Sequence, residues 1–293
     1  PAASRPSSAS RARSSAGTNA IRVRVMNLGT TSLTGVTIQC SVNGVSQTAV
    51  NLTGLSISQY RDTIVTIGTF VATVGVTTNL KAWTSSPNGL SDNNVSNDTL
   101  SLATIGCSQV LYGTYDIGGG NNDFATVAAA ITALNNCGVS GPVVLRLADG
   151  TYNSLSSFTT VYYGTSPTNT VTFTSLSGNA NNVVIGAASG TALTLNGAKY
   201  LRFEKVTIGD TVGNTTYGVS FTNTNENIEF NGCNIYSYVS ATSSSYACVY
   251  YNNSTANYLK NVKFIKNTIN GGYYNFYMYY PTNSTSNMSL MSV

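Results

Sequence analysis

The acidic side chains are the residues of this sequence that could carry catalytic chemistry, because histidine is absent. Without histidine, Ser-His and Cys-His nucleophilic sites, imidazole-based zinc sites and histidine pH switches are excluded. Grouped carboxylates could still act as general acids and bases on polysaccharides. The sequence contains 10 Asp and Glu residues, so the question is whether the fold brings any of them together.

One group of hard oxygen ligands lies in a single short segment. Asp92, Asn93, Asn97 and Asp98 could together coordinate calcium, although their spacing lacks the ligand count of a full calcium loop. Asp and Asn also form turns with their own backbone, and this role is favoured. No other cofactor is predicted, because the glycine run at 118–120 lacks the Lys-Ser/Thr of a phosphate-binding loop.

The cysteines are too few and too scattered for a disulfide scaffold or a CxxC metal site; they stand at positions 40, 107, 137, 233 and 248. Their odd number leaves at least one thiol unpaired. Cys40 and Cys233 occupy inward positions of alternating segments, which favours buried free thiols. Cys107 and Cys137 are the one pair to test for a disulfide.

The formal net charge of +4 does not indicate an acidic partner. Five of the 14 bases, Arg5, Arg11, Arg13, Arg22 and Arg24, lie within the first 24 residues, and the nine others face 10 acids. No nucleic-acid partner is expected, because such an interface needs bases clustered on a folded surface. No run of about 18 apolar residues could span a bilayer. Only 8% of the residues are charged, which is typical of an extracellular surface rich in Asn, Ser and Thr.

The chain divides into a leader and two domains. Residues 1–19 lack the apolar segment of a secretory signal and are predicted to be a linker or loosely ordered tail. Residues 20–104 alternate apolar and polar positions between turn signals, which predicts a β-sandwich with Trp83 in its core. In residues 108–293, Asp123 is the predicted N-cap of one amphipathic helix over about 123–136.

Two segments of the first domain carry family motifs, IRVRVMNLGTTSLTGVTIQCSVNG and LKAWTSSPNGLSDNNVSNDTLS. They match the opening and closing patterns of the bacterial cell-adhesion-related (CARDB) domain, which residues 20–104 therefore resemble. The resemblance implies an Ig-like β-sandwich that acts as a spacer or interaction module. It brings no catalytic residues with it.

Three segments of the second domain repeat one unit. KYLRFEKVTIGD, ENIEFNGCNIYS and KNVKFIKNTING superimpose without a gap. Consecutive repeats of a few tens of residues, built of short strands, predict a parallel β-helix whose coils stack about 4.8 Å apart. Phe203, Phe230 and Phe264 occupy equivalent positions and are expected to form one interior file.

Charged positions of these repeats alternate in sign. The predicted columns are Lys199, Glu226 and Lys260, and Arg202, Glu229 and Lys263. Opposite charges on neighbouring strands stabilise a sheet, which gives Glu226 and Glu229 a structural role. Catalysis would have to use Glu204 and Asp210 or coils beyond residue 293. The Asn-Thr-Asp, Asp-Asp and Gly-His-Gly signatures of β-helix pectinases are absent, and we do not expect an enzyme.

The last repeat is crowded with aromatic residues. Tyr277 is predicted to stack over Tyr250, with even positions such as Phe276 pointing inward. An exposed tyrosine column could bind sugars or a partner surface. Stacking between coils without a ligand is the favoured alternative.

The start of the second domain, from DFATVAAAITAL to VVLRLADGTYN, resembles the N-terminal cap and first coils of right-handed β-helix proteins. The whole of residues 20–293 resembles large surface proteins of the Bacteroidota exported by type IX secretion. This implies an outer-membrane-associated, extracellular location, the secretion machinery as a partner during export, and a longer natural chain truncated here at the C-terminus. It also implies O-glycosylation at Asp-Thr-apolar motifs, here Thr63, Thr99 and Thr211.

The predicted fold class is all-β: an Ig-like β-sandwich followed by a right-handed parallel β-helix with one N-terminal capping α-helix. We expect an extracellular structural and adhesive protein that presents an elongated β-helix to surfaces, glycans or partner proteins. A carbohydrate-active lyase or hydrolase and a passive spacer are the alternatives.

Overall fold

The structure is a computed structural model that describes residues 2–3, 12–120, 122–186, 189–211, 214–252, 257–279 and 290–292. The chain forms two compact units, and the division in sequence falls between Gln109 and Val110. The predicted fold class is confirmed. An Ig-like β-sandwich is followed by a parallel β-helix that includes one α-helix near its beginning.

The first unit is a sandwich of two sheets. Its strands are β1 (Ala2–Ala3), β2 (Ala12–Ser15), β3 (Gly17–Asn27), β4 (Leu33–Val42), β5 (Val45–Ser46), β6 (Val50–Ile57), β7 (Asp62–Ala72), β8 (Thr77–Ser85) and β9 (Thr99–Cys107). One sheet has the order β1-β3-β7, and the other has the order β2-β9-β8-β4, with β5 and β6 both pairing with β4. Two 3-10 turns, Pro87–Gly89 and Val95–Asn97, connect β8 to β9.

The core of the sandwich follows the alternation read from the sequence. Alternate residues of β3 and β4, among them Val25 and Ile38, are buried between the sheets. Trp83 was wrongly placed in this core: its side chain is only half-buried, and the Lys81 ammonium lies 5.5 Å from the ring centroid. Its strand neighbour Thr84 occupies a buried position instead, because residues of a strand alternate between its two faces.

The boundaries of the first unit differ from those predicted. Residues 12–15 lie in β2 and residues 17–19 begin β3, so this segment is not a linker or tail; residues 4–11 lie outside the described part of the chain. Strand β2 pairs in parallel with the end of β9, where the side-chain hydroxyls of Ser14 and Thr104 are 2.7 Å apart. This pairing extends the sandwich beyond residue 104 to Cys107, because β2 needs those residues as its ladder partners.

The second unit is a β-solenoid. Its elements are β10 (Leu111–Ile117), α1 (Val127–Cys137), β11 (Val139–Leu147), β12 (Gly150–Tyr152), β13 (Ser157–Phe158), β14 (Val171–Ser175), β15 (Val183–Ile185), β16 (Ser189–Asn196), β17 (Leu201–Glu204), β18 (Thr207–Ile208), β19 (Asn214–Thr222), β20 (Asn225–Asn231), β21 (Asn234–Tyr236), β22 (Ala247–Asn252), β23 (Leu259–Ile265), β24 (Thr268–Asn270), β25 (Tyr274–Tyr279) and β26 (Leu290–Ser292). The 3-10 turns Asn153–Leu155 and Ala180–Asn182 lie between strands.

The solenoid strands form three parallel sheets, which we call faces. Face 1 has the order β10-β11-β14-β17-β20-β23-β26, face 2 the order β12-β15-β18-β21-β24, and face 3 the order β13-β16-β19-β22-β25. The chain visits the three faces in turn five times, from β11 to β25. Each visit is one coil, and each coil pairs with the next in parallel.

Aromatic rings fill the interior behind face 1. Phe173, Phe203, Phe230 and Phe264 occupy equivalent positions, with successive ring centroids 5.6, 5.2 and 5.1 Å apart and nearly parallel. All four are buried. The interior file expected from the repeats is therefore present, and it extends one coil further towards the N-terminus.

The coils turn at backbone positions in the left-handed region. Tyr200, Asn227 and Asn261 occupy one such position, with φ of 61°, 56° and 54°. Asparagine tolerates this conformation better than most residues, and its side chains form a ladder here, in which the Asn261 amide donates to Asn227 Oδ1 at 3.1 Å. A second position holds Lys205, Gly232 and Lys266 and is considered below.

Helix α1 begins later than predicted. Its N-cap is Thr126, whose hydroxyl accepts a hydrogen bond from the Ala129 backbone at 3.2 Å. Asp123 was wrongly assigned this role: its carboxylate accepts from the Asp116 backbone at 2.8 Å, which closes the loop before the helix. Gly138, with φ of 69°, ends the helix. No helix in the described ranges is long and apolar enough to cross a membrane.

The cysteines fall into two groups. Cys107 and Cys137 are disulfide-bonded. Cys40, Cys233 and Cys248 are free and buried, and burial raises the pKa of Cys233 and of Cys248 to about 11. The free thiols therefore remain protonated near neutral pH and behave as small apolar core residues.

Candidate functional site

The charged side chains of the described solenoid strands are segregated to one face. Every Asp, Glu, Lys or Arg within the described solenoid strands lies on face 1: Asp116, Arg146, Arg202, Glu204, Glu226, Glu229, Lys260 and Lys263. The strands of faces 2 and 3 carry none. Face 1 is thus charged along its described strands, whereas the strands of faces 2 and 3 are uncharged.

The first charge column forms a compact hydrogen-bonded group. Lys199, Glu226 and Lys260 are partners on successive coils, and Lys199 Nζ lies 3.1 Å from Glu226 Oε1. The Tyr258 hydroxyl donates to the same oxygen at 2.9 Å. Burial alone would raise the pKa of Glu226, but the hydrogen bonds from Lys199 and Tyr258 and the charges of Lys199 and Lys260 outweigh it and lower that pKa. Glu226 is therefore an ionised structural carboxylate at neutral pH.

The second column is in register without close ion pairs. Arg202, Glu229 and Lys263 are partners on successive coils. None of the three takes part in an ion pair within the described residues. A closer pair lies near the start of face 1, where Arg146 binds Asp116 with two contacts of 2.6 and 2.9 Å. The sequence repeats did not include this coil, so the pair was missed.

We expect Glu226→Gln to lower the free energy of unfolding by about 1 kcal/mol at pH 7, because Lys199 loses its ionised partner. The pKa of Glu226 is lowered in the folded protein, so its contribution is present above the unfolded value of about 4.3 and is lost as pH falls through the lower folded value. The difference between the two proteins should therefore shrink below about pH 4. Urea unfolding at several pH values measures it.

The matched control is Glu229→Gln, which removes the same charge from the same strand but breaks no close ion pair. At pH 7, Glu229→Gln should lower the free energy of unfolding by less than half as much as Glu226→Gln does. An equal loss in the two variants would mean that net charge, and not the Lys199 contact, stabilises the coil.

Tyrosines of face 3 form a connected group. Tyr217 and Tyr277 both stack on Tyr250, with ring centroids 4.0 and 5.2 Å away. Tyr274 lies 5.4 Å from Tyr277, and Tyr273 lies 4.8 Å from Tyr274. These five residues are called the tyrosine surface below. Tyr277 is the direct register partner of Tyr250, as the sequence predicts.

Tyr217 was missed because its register partner is Ala247, so that its ring has to lean along the face to reach Tyr250. Burial, and then the hydrogen bond and charge of Tyr250, raise the pKa of Tyr217 to about 12. Its hydroxyl is therefore protonated at physiological pH and remains able to donate a hydrogen bond. The Asn252 amide donates to the Tyr250 hydroxyl at 3.1 Å, which places an amide beside the rings.

The C-terminal end of face 3 is exposed. Tyr273, Phe276 and Tyr279 are 54%, 42% and 52% accessible to solvent. Phe276 is in register with the buried Val249 and its ring meets Phe264 edge-on, so it points inward as predicted. It is nevertheless not covered, because β25 is the edge strand of face 3 in the described residues. Tyr280, the next aromatic residue after Tyr279 in the sequence, lies outside the described part of the chain.

The calcium candidates lie in one loop of the sandwich and are engaged with protein groups. Asp92 accepts from the Asn94 backbone at 2.9 Å, and Asp98 is buried and accepts from the Thr84 hydroxyl at 3.2 Å. Burial, and then the neighbouring Asp92, raise the pKa of Asp98. Within the described residues no group of three or more His, Cys, Asp or Glu side chains could hold a metal ion. Asn93 and Asn97 could offer calcium only the oxygen of a side-chain amide.

The remaining candidates are dispersed. Thr63 is half-buried in β7, Thr99 is exposed at the start of β9, and Thr211 is half-buried after β18. Glu204 ends β17 on face 1, whereas Asp210 follows β18 on face 2. The two carboxylates that remained open for catalysis thus stand at the ends of strands of different faces.

No family model matches the chain, and no curated protein matches it. Among solved structures, it is similar to the CARDB domain of a Pyrococcus furiosus protein, crystallised in complex with di-metal ions, at 14% identity and a TM-score of 0.27 over 33% of this chain and 80% of that one. The solution structure of the same domain gives 14% identity and a TM-score of 0.27 over 33% of this chain and 88% of that one. Both are members of the family that residues 20–104 resemble in sequence.

Proposed function

We propose that this chain is an extracellular structural and adhesive protein whose solenoid binds neutral glycans on face 3. The observation that carries the proposal is the tyrosine surface, a group of five contacting tyrosines on a face whose strands contain no charged residue. The glycan ligand, the adhesive role and the extracellular location are all parts of this proposal.

The chemistry of face 3 matches a neutral, polyhydroxylated ligand. The stacked rings of Tyr250 and Tyr277 are half-buried, and Asn252 adds an amide that already bonds to the Tyr250 hydroxyl. Tyrosine combines an apolar ring with a polar tip, which suits the apolar faces and hydroxyls of a sugar. Tyr273 is exposed and the other four tyrosines are half-buried, so the group reaches the solvent, and an aromatic group at a low-charge surface indicates an interaction site.

The solenoid also holds these side chains in fixed positions. Four of the five tyrosines lie on strands paired on at least one side, Tyr273 directly precedes β25, and Tyr250 is held between Tyr217 and Tyr277. Tyrosine has only two side-chain torsions, so little conformational entropy is lost when a ligand binds. A rigid, repeated surface suits adhesion to an extended polymer better than to a small molecule.

The test is binding of the full chain to immobilised neutral oligosaccharides, compared with the Tyr250→Ala/Tyr277→Ala double variant. We expect the affinity to fall at least tenfold, equivalent to about 1.4 kcal/mol, because the central rings are lost. Tyr112→Ala is the matched control, since Tyr112 is 64% exposed but lies on β10 of face 1. It should bind as the wild type does.

Two results contradict the proposal. Absence of binding to any glycan or cell surface would favour a passive spacer, and equal affinity in the double variant would place binding elsewhere. Release of unsaturated or reducing sugar ends would identify an enzyme instead. We propose a non-catalytic protein, supported by the engagement of Glu226 with Lys199 and Tyr258 and by the separate strands of Glu204 and Asp210.

We further propose export to the outer surface of a bacterium of the Bacteroidota by type IX secretion. The support is the sequence resemblance together with a composition in which only 8% of the residues are charged. O-glycosylation at Thr63, Thr99 or Thr211 belongs to the same proposal. Thr99 is the most accessible of the three, since it alone is exposed.

A further inference from the structure

Two lysines on face 1 stand apart from the alternating columns. Lys205 and Lys266 each follow a strand of face 1, one residue beyond the paired positions Glu204, Asn231 and Ile265. The residue between them on the middle coil is Gly232. Lys205, Gly232 and Lys266 therefore form a third column on successive coils. Its middle residue is a glycine, whereas the middle residue of each of the other two columns is a glutamate.

The backbone of this column is strained at both lysines. Lys205 and Lys266 have φ of 49° and 51°, in the left-handed region that glycine occupies without penalty and lysine rarely adopts. Gly232, at the same turn of the middle coil, has φ of 63°. Strained residues of this kind concentrate at functional sites, so two lysines at a turn that accepts glycine call for a role beyond the turn itself.

The missing side chain of Gly232 leaves an open notch between the lysines. A Cβ built on Gly232 would lie 3.7 Å from Lys205 Cγ, so the Lys205 stem runs alongside this glycine towards the next coil. Two coils separate the lysines, which corresponds to about 9.6 Å between their backbones. Both are exposed, and in the part of the chain that the structure describes neither forms an ion pair.

We propose that Lys205, Gly232 and Lys266 form a binding site for an anionic polysaccharide, with one carboxylate or sulfate group held at each lysine. The site lies on a different face from the tyrosine surface and goes beyond the neutral-glycan function proposed above. Six of the solenoid's seven bases belong to the three columns of face 1, against three glutamates on the same part of that face, which therefore carries a local excess of positive charge that attracts a polyanion.

The acidic residues of face 1 favour a polysaccharide over a nucleic acid. Glu204, Glu226 and Glu229 lie on the same face as the lysines. A nucleic acid carries a phosphate on every nucleotide and would bring charges against these carboxylates. A polysaccharide with one charge per disaccharide can place its charges at the lysines and uncharged sugar against the glutamates.

The test measures binding of the full chain to hyaluronan oligosaccharides, which carry one carboxylate per disaccharide, and to chondroitin sulfate. Chondroitin sulfate carries a sulfate in addition to the carboxylate of each disaccharide, so binding to either supports the proposal, and tighter binding of chondroitin sulfate would show that the sulfate adds to the attraction. The Lys205→Gln/Lys266→Gln variant should bind at least tenfold more weakly. Hyaluronan with esterified carboxyl groups has the same sugars without the charge. Its affinity for the wild type should be as low as the affinity of ordinary hyaluronan for the Lys205→Gln/Lys266→Gln variant.

Two further variants separate the notch from charge in general. Gly232→Asn keeps every charge and tolerates the left-handed backbone, but its side chain fills the notch, so binding should again fall at least tenfold. Lys260→Gln/Lys263→Gln removes two charges from the neighbouring columns and should weaken binding less than threefold.

Three results overturn the proposal: an equal loss in the Lys260→Gln/Lys263→Gln control, wild-type affinity in Gly232→Asn, or single-stranded DNA binding as tightly as hyaluronan. The Tyr250→Ala/Tyr277→Ala variant should retain full hyaluronan binding, so the two proposed sites can fail independently.

Discussion

Replacing Phe230 by alanine is expected to lower the free energy of unfolding of the solenoid by about 4 kcal/mol. Phe230 is fully buried, and its ring is stacked between those of Phe203 and Phe264 at 5.2 and 5.1 Å. Phe221 closes a further side edge-on at 6.4 Å. Rings held on three sides by other rings cannot collapse easily into the space left by alanine, so the cavity remains and its cost is added to the lost burial.

The matched control is Phe276→Ala, the same chemical change at an inward position that is 42% exposed and has one ring contact within the file, with Phe264. We expect a loss below about 1.5 kcal/mol there, because solvent already reaches the ring. Urea unfolding followed by far-ultraviolet circular dichroism measures both variants. Equal losses would mean that the stacked file is not the core that holds neighbouring coils together.

The interior file could be predicted because the repeats fix their own register. A shift by one residue would turn every apolar side chain of a strand outward, so only one alignment keeps Phe203, Phe230 and Phe264 inside. The charge columns follow from the same alignment. The sequence repeats did not include Phe173. Its strand β14 resembles β17 only in two apolar positions, where Val171 and Phe173 correspond to Leu201 and Phe203. That apolar spacing is the signal that could have extended the file.

Other parts of the fold depend on contacts that leave no local pattern. Strand β2 consists of Ala12–Ser15, which has no apolar alternation, and it forms because the edge of β9 offers backbone partners. Asp123 and Thr126 are both good N-caps by residue type, and the loop contact of Asp123 with Asp116 decides between them.

In the candidate sites too, the contacts that follow from the repeat register could be predicted, and the others could not. The sequence predicted the stacking of Tyr277 on Tyr250 because both occupy equivalent repeat positions. Tyr217 joins them by the direction of its side chain, which register alone does not specify. The turn at Lys205 was also hidden, because lysine gives no sign of a left-handed conformation that glycine or asparagine would have indicated.

Close approach between coils leads to the second large effect. Gly209 follows β18 with φ of 84°, and a Cβ added there would clash with the Tyr236 carbonyl oxygen of the next coil. The same Cβ would also lie 3.2 Å from Thr215 Cγ2. Tyr236 ends β21, whose ladder to β24 holds that carbonyl in place. We therefore expect Gly209→Ala to lower the free energy of unfolding by about 3 kcal/mol or more, since conformational strain and overpacking add.

Gly190→Ala separates these two costs. Gly190 has a similar φ of 76° and lies in β16 of face 3, but nothing lies within 4 Å of its added Cβ. Alanine there meets only the backbone penalty of the left-handed region, about 1 to 2 kcal/mol, and urea unfolding should place it well above Gly209→Ala in stability. If the two variants lose the same amount, the backbone conformation alone explains both, and the coils do not approach each other at Gly209 as closely as the stacked register requires.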